Sequence, residues 1–345
     1  MMAEDTNWFE ANADVRSICY YDSHPDRSGV ELTIAIPTFQ RDELLFSALR
    51  SAVTQKPGGM EYSIMIVDND NSDEHAQEIV QRLKALQTDL RIQYYVNETN
   101  VGLFGNWNMC VRNSASPVVA LLHDDDVLFD DYSIRAREII NALPSSRDWV
   151  YVKTRNCFFT DSEQIPVPPT QVRFGLKKYT SMDALLSLGV GTIGSPTCGS
   201  LLNKNAVEEL GGFHPDFYPS ADVYFAVDAV HRGWKVYLTT RATGGYRLFA
   251  NVSAKPETMI STLHKDQEII SMLKNRNWFS KVYVGLLGNG KLEIQRRMYC
   301  AQLSPQQLEE YPALKEKKGN AIQILGYKAV NFLRRGYRVL IYQRV

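Results

Sequence analysis

Tyr62-Ser-Ile-Met-Ile-Val-Asp68 is a short apolar run closed by an acid, and Leu32-Thr-Ile-Ala-Ile-Pro37 upstream repeats the pattern. Neither alternates polar with apolar, and both are too short for a helix, so each reads as a strand covered on both faces. Asp42–Val53 between them carries helical spacing. Downstream come a helix from Asp73 to about Leu86, a strand over Arg91–Val96, a helix over Phe104–Asn113 and a strand over Pro117–Leu122. Strands alternating with amphipathic helices build βαβ units and a parallel sheet, so the fold class is α/β. Ligands of such sheets bind beyond the carboxyl ends of the strands. The residues to inspect are therefore Thr38-Phe39-Gln40-Arg41, Asp68-Asn69-Asp70, Asn97–Asn100 and His123-Asp-Asp-Asp126.

After residue 126 the alternation weakens. A strand-like Trp149–Phe159 leads to a Pro-rich loop at Ile165–Pro169 and a Gly/Ser/Thr-rich stretch from Gly189 to Ser200. Helices are expected at Lys204–Leu210 and Asp222–Arg232, a strand at Lys235–Leu238, and mainly basic helix from about Ser253 onward. Residues 1–30 show no sustained period and read as an extension. The 345 residues are 44% hydrophobic and 22% charged, which excludes disordered, collagenous and repeat classes. No apolar run is long enough to span a bilayer. Five cysteines without C-x-x-C spacing argue against a disulfide framework or zinc site, and the N-terminus lacks a secretory pattern, so a cytoplasmic setting is expected.

The net charge of −1 conceals a division. Residues 281–345 carry 12 Lys+Arg and 4 Glu, a balance of +8, leaving −9 on the rest. Nucleic acid is not an expected partner. Residues 321–344 mix Ile, Leu, Val and Phe with basic groups and no acid, which suits an anionic membrane surface or packing of a basic helix on the acidic body.

Gly189-Val-Gly-Thr-Ile-Gly194 spells a dinucleotide fingerprint, but a helical pattern precedes it where a strand is required. Asp68–Asp73 resembles a calcium loop but lacks the Gly and Glu that such a loop needs, and Ser72 or Asp73 serves instead as a helix cap. His123-Asp-Asp-Asp126 is stronger. Three consecutive carboxylates repel unless a positive group sits among them. In an extended segment Asp124 and Asp126 share one side, a spacing suited to Mg²⁺ or Mn²⁺ beside phosphates. Arg41 suits a phosphate or a base, and Gly102 lets the backbone approach a ligand.

In this order the motifs I-P-T-F-Q-R, I-V-D-N-D-N-S-D, N-V-G-L-F-G-N-W-N and L-L-H-D-D-D resemble the inverting family 2 glycosyltransferases of GT-A fold. Glu209-Leu-Gly-Gly-Phe-His-Pro-Asp216 and Pro219-Ser-Ala-Asp222 resemble that family's acceptor segment. The resemblance implies a GT-A domain over 31–250, with a nucleotide-binding half to 126 and an acceptor half beyond, followed by a C-terminal helical region over 251–345. It implies a nucleotide-sugar donor, a glycan or lipid-linked acceptor, a divalent cation (Mg²⁺ or Mn²⁺) on Asp126 with Asp124 or Asp125, and Asp222 as general base. Pro37, Thr38, Phe39, Arg41, Asp68, Asn69, Asn100, Gly102, Asn108, Asp124 and Asp125 become donor-site residues, with the Asn69 amide oxygen facing the base. Two positions depart from the family: His123 stands where D-x-D-D has its first acid, and Ala221 where Glu usually precedes the base. These departures motivate a rival reading as an inactive sugar-nucleotide binder. A nucleotidyltransferase is the other rival, although its Gly-rich first loop is missing.

Overall fold

The computed structural model describes residues 7–26, 28–144, 148–160, 173–188, 197–248, 255–274 and 277–342, with side chains of the last helix as far as 333. The G-x-G-x-x-G stretch and the Pro-rich loop lie outside the described residues. Among the described residues ten strands form one sheet: β1 (Ser17–Asp22), β2 (Leu32–Thr38), β3 (Tyr62–Asp68), β4 (Ile92–Asn97), β5 (Val118–Leu121), β6 (Val127–Leu128), β7 (Trp149–Phe159), β8 (Leu176–Tyr179), β9 (Ser200–Asn203) and β10 (Lys235–Arg247). Their order is β1-β4-β3-β2-β5-β9-β7-β10-β6, with β8 on β10. The block β4-β3-β2-β5 is parallel throughout, as the buried apolar runs require. The chain steps outward from β2 to β3 and β4, then returns to the other side of β2 as β5. That reversal is the topological switch point, and it opens a crevice between the ends of β2 and β5.

Side chains alternate across the sheet. Ile34, Ile36, Ile64 and Ile66 join helices Asp42–Val53, Asp73–Lys84 and Tyr132–Ala142 in one core. Ala35, Met65 and Val67 face helices Gly102–Asn113, Lys204–Leu210 and Ala221–His231 in the other. Ser72 caps its helix, its hydroxyl accepting from the His75 amide at 3.3 Å.

The N-terminal segment is more than an extension. Strand β1 pairs antiparallel with β4, and Trp8 is buried in the second core. Strand β1 lies on an edge with half its surface open, so no apolar period marks it in the sequence. Strand β10 runs to Arg247, well past the expected Leu238, because the Thr- and Gly-rich continuation stays in register with β7 through several bulges. The C-terminal helices Pro256–Lys274, Trp278–Cys300 and Ala321–Tyr342 share the second core through Ile269, Leu273, Val284, Leu292 and Tyr327. Among the described residues no helix is long and apolar enough to cross a membrane.

Candidate active site

The crevice is floored by the chain leaving β5. His123–Asp126 is not extended but a turn closed by Asp126 N–H to the His123 carbonyl at 3.1 Å. The alternation expected for an extended segment is therefore replaced by i,i+3 pairing. The His123 Nδ1 lies 3.0 Å from Asp126 Oδ2, while Asp124 and Asp125 turn together toward Arg41. Asp126 is fully buried, and its Oδ1 accepts the Arg247 amide at 2.9 Å. Ligand atoms of His123, Asp125 and Asp126 lie within 4.8 Å of one another, so these three converge as a metal-binding set would. Asp124, expected to share the metal with Asp126, instead accepts from the Thr38 hydroxyl at 3.0 Å and meets Arg41 at 3.4 Å.

Electrostatics follow from burial. The Asp124 carboxyl is pushed up to about 6, first by burial and then by the Asp125 charge, against the pull of Arg41 and Thr38. Burial alone would depress His123, but its hydrogen bond to Asp126 and the nearby acids outweigh that and raise it. The His123 ring stacks on Trp107 with centroids 5.0 Å apart, and its Nε2 has no partner among the described residues. A nitrogen donor beside two carboxylates is a chemically suitable set for a divalent ion such as Mn²⁺.

The strand-end residues divide into two groups. Pro37 and Thr38 are buried at the end of β2, Phe39 is exposed, and Gln40 takes φ 55° in the turn that brings Arg41 over the acids. By contrast, Asn69 does not offer its amide oxygen to a base. That oxygen accepts from Asn97 at 2.8 Å and from the Val101 amide at 3.3 Å, while its NH₂ donates to the Gly102 carbonyl. Asp68 is likewise turned inward, accepting from the Asp70 amide and the Tyr94 hydroxyl, each at 2.9 Å, and burial raises its pKa. Asn108 binds both backbone groups of Phe213, at 2.7 and 2.8 Å, and Asn100 accepts the Gly102 amide. Gly102, at φ 74°, has nothing within 4 Å of where a Cβ would stand, so the glycine serves backbone conformation there. These residues shape the loops rather than face the crevice.

Asp222 sits in the first turn of helix Ala221–His231, two residues after the N-cap Ser220. Its Oδ2 receives the Thr197 hydroxyl at 3.2 Å and the buried Lys153 ammonium at 3.4 Å. Its Oδ1 has no partner among the described residues. Thr197 adjoins Cys198, whose thiol donates to the Val127 carbonyl at 3.9 Å and whose carbonyl is held by Thr154 and Asn156. One dipeptide thus links the Asp222 carboxylate to the backbone that follows the acid cluster.

Several of these residues escaped sequence reasoning. Asn106, inside the N-V-G-L-F-G-N-W-N motif, donates to the carbonyls of Thr38 and Val67 and so ties the ends of β2 and β3. Lys153 carried one signal, a cation within an otherwise apolar strand. Arg247 and Thr197 carried none.

A mixed sheet with a parallel β4-β3-β2-β5 block and clustered acids at its switch point defines a nucleotide-sugar transferase architecture of GT-A type. The family model described as Glycosyl transferase family 2 matches residues 33–210, and the chain belongs to that family. Over 99 residues it is 34% identical to GalNAc(5)-diNAcBac-PP-undecaprenol beta-1,3-glucosyltransferase of Campylobacter jejuni, covering 28% of this chain and 30% of that protein. Over 211 residues it is 30% identical to an uncharacterized Mycobacterium tuberculosis protein, covering 56% of this chain and 60% of that one. The chain thus matches less than two thirds of the length of either curated relative. Among solved structures, the mannosyltransferase PcManGT of Pyrobaculum calidifontis, in complex with GDP-Man and Mn²⁺, superposes with TM-score 0.53 at 14% identity. That match covers 91% of this chain and 83% of that one, a likeness of fold.

Proposed function

We propose that the chain moves a sugar, with inversion, from a nucleoside-diphosphate donor to a hydroxyl of a glycan or lipid-linked acceptor. The observation that carries this reading is the convergence of His123, Asp125 and Asp126 beside Arg41 at the switch point, together with an Asp222 carboxylate that has one oxygen without a partner among the described residues. Asp222 Oδ1 is the atom that takes the acceptor's proton as the hydroxyl attacks the anomeric carbon. Lys153 and Thr197 hold Oδ2, fixing the carboxylate's direction. Arg41, already among the acids, is placed to meet a donor phosphate.

Asp125 and Asp126, with His123, are the residues suited to hold a divalent cation, Mg²⁺ or Mn²⁺. Bound there, the cation supplies Lewis-acid stabilisation of the departing diphosphate. The Campylobacter relative's name specifies an undecaprenol-linked saccharide, which supports a lipid-linked acceptor here. The setting that follows is the cytoplasmic face of a membrane, reached through the basic segment 321–345.

The test is Asp222→Asn. It is expected to keep donor affinity and lose transfer by at least about a thousandfold, the size of effect for a lost base and its positioning. Near-normal turnover would refute the assignment, and NMR of the product's anomeric proton reads inversion directly. His123 and Ala221 favour the second reading, a binder that lost catalysis. Mn²⁺-dependent donor hydrolysis separates the two, because a pure binder shows none.

A further inference from the structure

The C-terminal helices expose what a soluble surface normally hides. Trp278, Val282 and Leu286 recur at four-residue spacing along helix Trp278–Cys300 and are 76%, 51% and 61% exposed. Leu325, Phe332 and Leu333 on helix Ala321–Tyr342 are 65%, 78% and 69% exposed. The two helices pack closely because glycines remove side chains at the contact. A Cβ on Gly290 would meet the Gln323 carbonyl oxygen at 2.1 Å, and one on Gly326 would meet Leu287 at 2.9 Å. Residue numbers run in opposite senses across that contact, so the pair is antiparallel. Continuing the register at equal helical rise brings Phe332 and Leu333 level with the Phe279–Val282 end.

We propose that these two helices form a single docking face for an anionic lipid surface, with the apolar side chains entering the acyl boundary. This rests on the reading of a lipid-linked acceptor and extends it to residues outside 321–345. Charge selects the occupant. Residues 278–292 and 317–345 contain no Asp or Glu, and the latter carry seven Lys+Arg. Basic groups flanking exposed apolar residues fit anionic headgroups. A second copy fits worse, because a two-fold contact would set the same basic segment against itself. The balance of −9 on the remaining chain turns the catalytic body away from the same surface, which orients the protein as well as attracting it.

Trp278 makes the test direct. Trp8, Trp107 and Trp149 are buried and Trp234 is half-buried, so Trp278 is the tryptophan available to lipid. The full chain is expected to sediment with vesicles of phosphatidylglycerol and phosphatidylcholine and not with phosphatidylcholine alone. Brominated acyl chains should quench its fluorescence. Trp278→Phe should keep binding and lose that quenching. The triple variant Trp278→Ser, Leu286→Ser, Phe332→Ser should bind at least about tenfold more weakly with an unchanged melting temperature, since all three side chains are exposed. The proposal is overturned by absent vesicle binding, by quenching that persists in Trp278→Phe, or by unchanged binding of the triple variant. A concentration-dependent dimer that the triple variant abolishes, without vesicle binding, would assign the face to a second copy. Mn²⁺-dependent donor turnover, measured without vesicles on wild type and triple variant, reports on the transferase reading alone.

Discussion

Replacing Arg41 with Gln removes the positive group that holds two adjacent carboxylates together. Arg41 meets Asp125 at 2.9 Å and Asp124 at 3.4 Å, with the guanidinium 28% exposed and the acids 10% or less. At an effective dielectric of about 20, each contact is worth about 5 kcal/mol before desolvation. Desolvation of the acids and the partly open guanidinium leave about 2 kcal/mol net. The sign of its pH dependence follows from Asp124. Its folded pKa of about 6 lies above the ordinary carboxylate value, so its ionisation costs stability as pH rises from about 4 toward 6. Without Arg41 that window moves upward. The deficit is then largest at pH 8, and shrinks by pH 5, where Asp124 holds a proton in both proteins. Urea denaturation should read about 2 kcal/mol at pH 8 and less than about 1 at pH 5. Mn²⁺ should restore more stability to the variant than to wild type, because a cation among the acids replaces the lost charge. Equal losses at both pH values would refute the reasoning, since they would mean Arg41 acts by packing.

Asn106→Ala should cost about 2 kcal/mol in denaturation and weaken nucleotide binding. Its cost is moderate because the Thr38 carbonyl keeps the Asn69 amide and Asn97 keeps Asn69 as acceptor. Asp266→Ala strands the buried Lys291 ammonium, 3.0 Å away, and should cost about 3–5 kcal/mol; adding Lys291→Met should recover most of it. Both forms also deprive the Ser220 hydroxyl of its acceptor, at the start of the helix bearing Asp222. The double variant should therefore keep a reduced kcat at near-normal donor affinity, measured by steady-state kinetics and calorimetry.

The parallel half of the sheet was legible because four strands buried on both faces leave four apolar runs, and because the polar residues that end them had to lie at the crevice. Strand β1 was not legible, since an edge strand has no need of a pattern. Within the site, the motifs marked the right loops but not which side chains face outward. Asn69, Asn100 and Asn108 look like ligand-binding amides, yet an amide can serve a distant backbone equally well, and Asn108 pairs with Phe213, 105 positions away. No local rule foretells that. The acid cluster shows the same limit at short range. Alternation along an extended chain would have put Asp124 with Asp126, but a four-residue turn closes instead and sets position 123 against 126. That geometry gives the family departure a physical reason. An acid at 123 would stand against the buried Asp126 as a second carboxylate, whereas His123 offers a hydrogen bond at 3.0 Å. The substitution thus relieves a repulsion that an all-acid turn could settle only with a cation, and it leaves Asp125, Asp126 and an imidazole nitrogen together where one would bind.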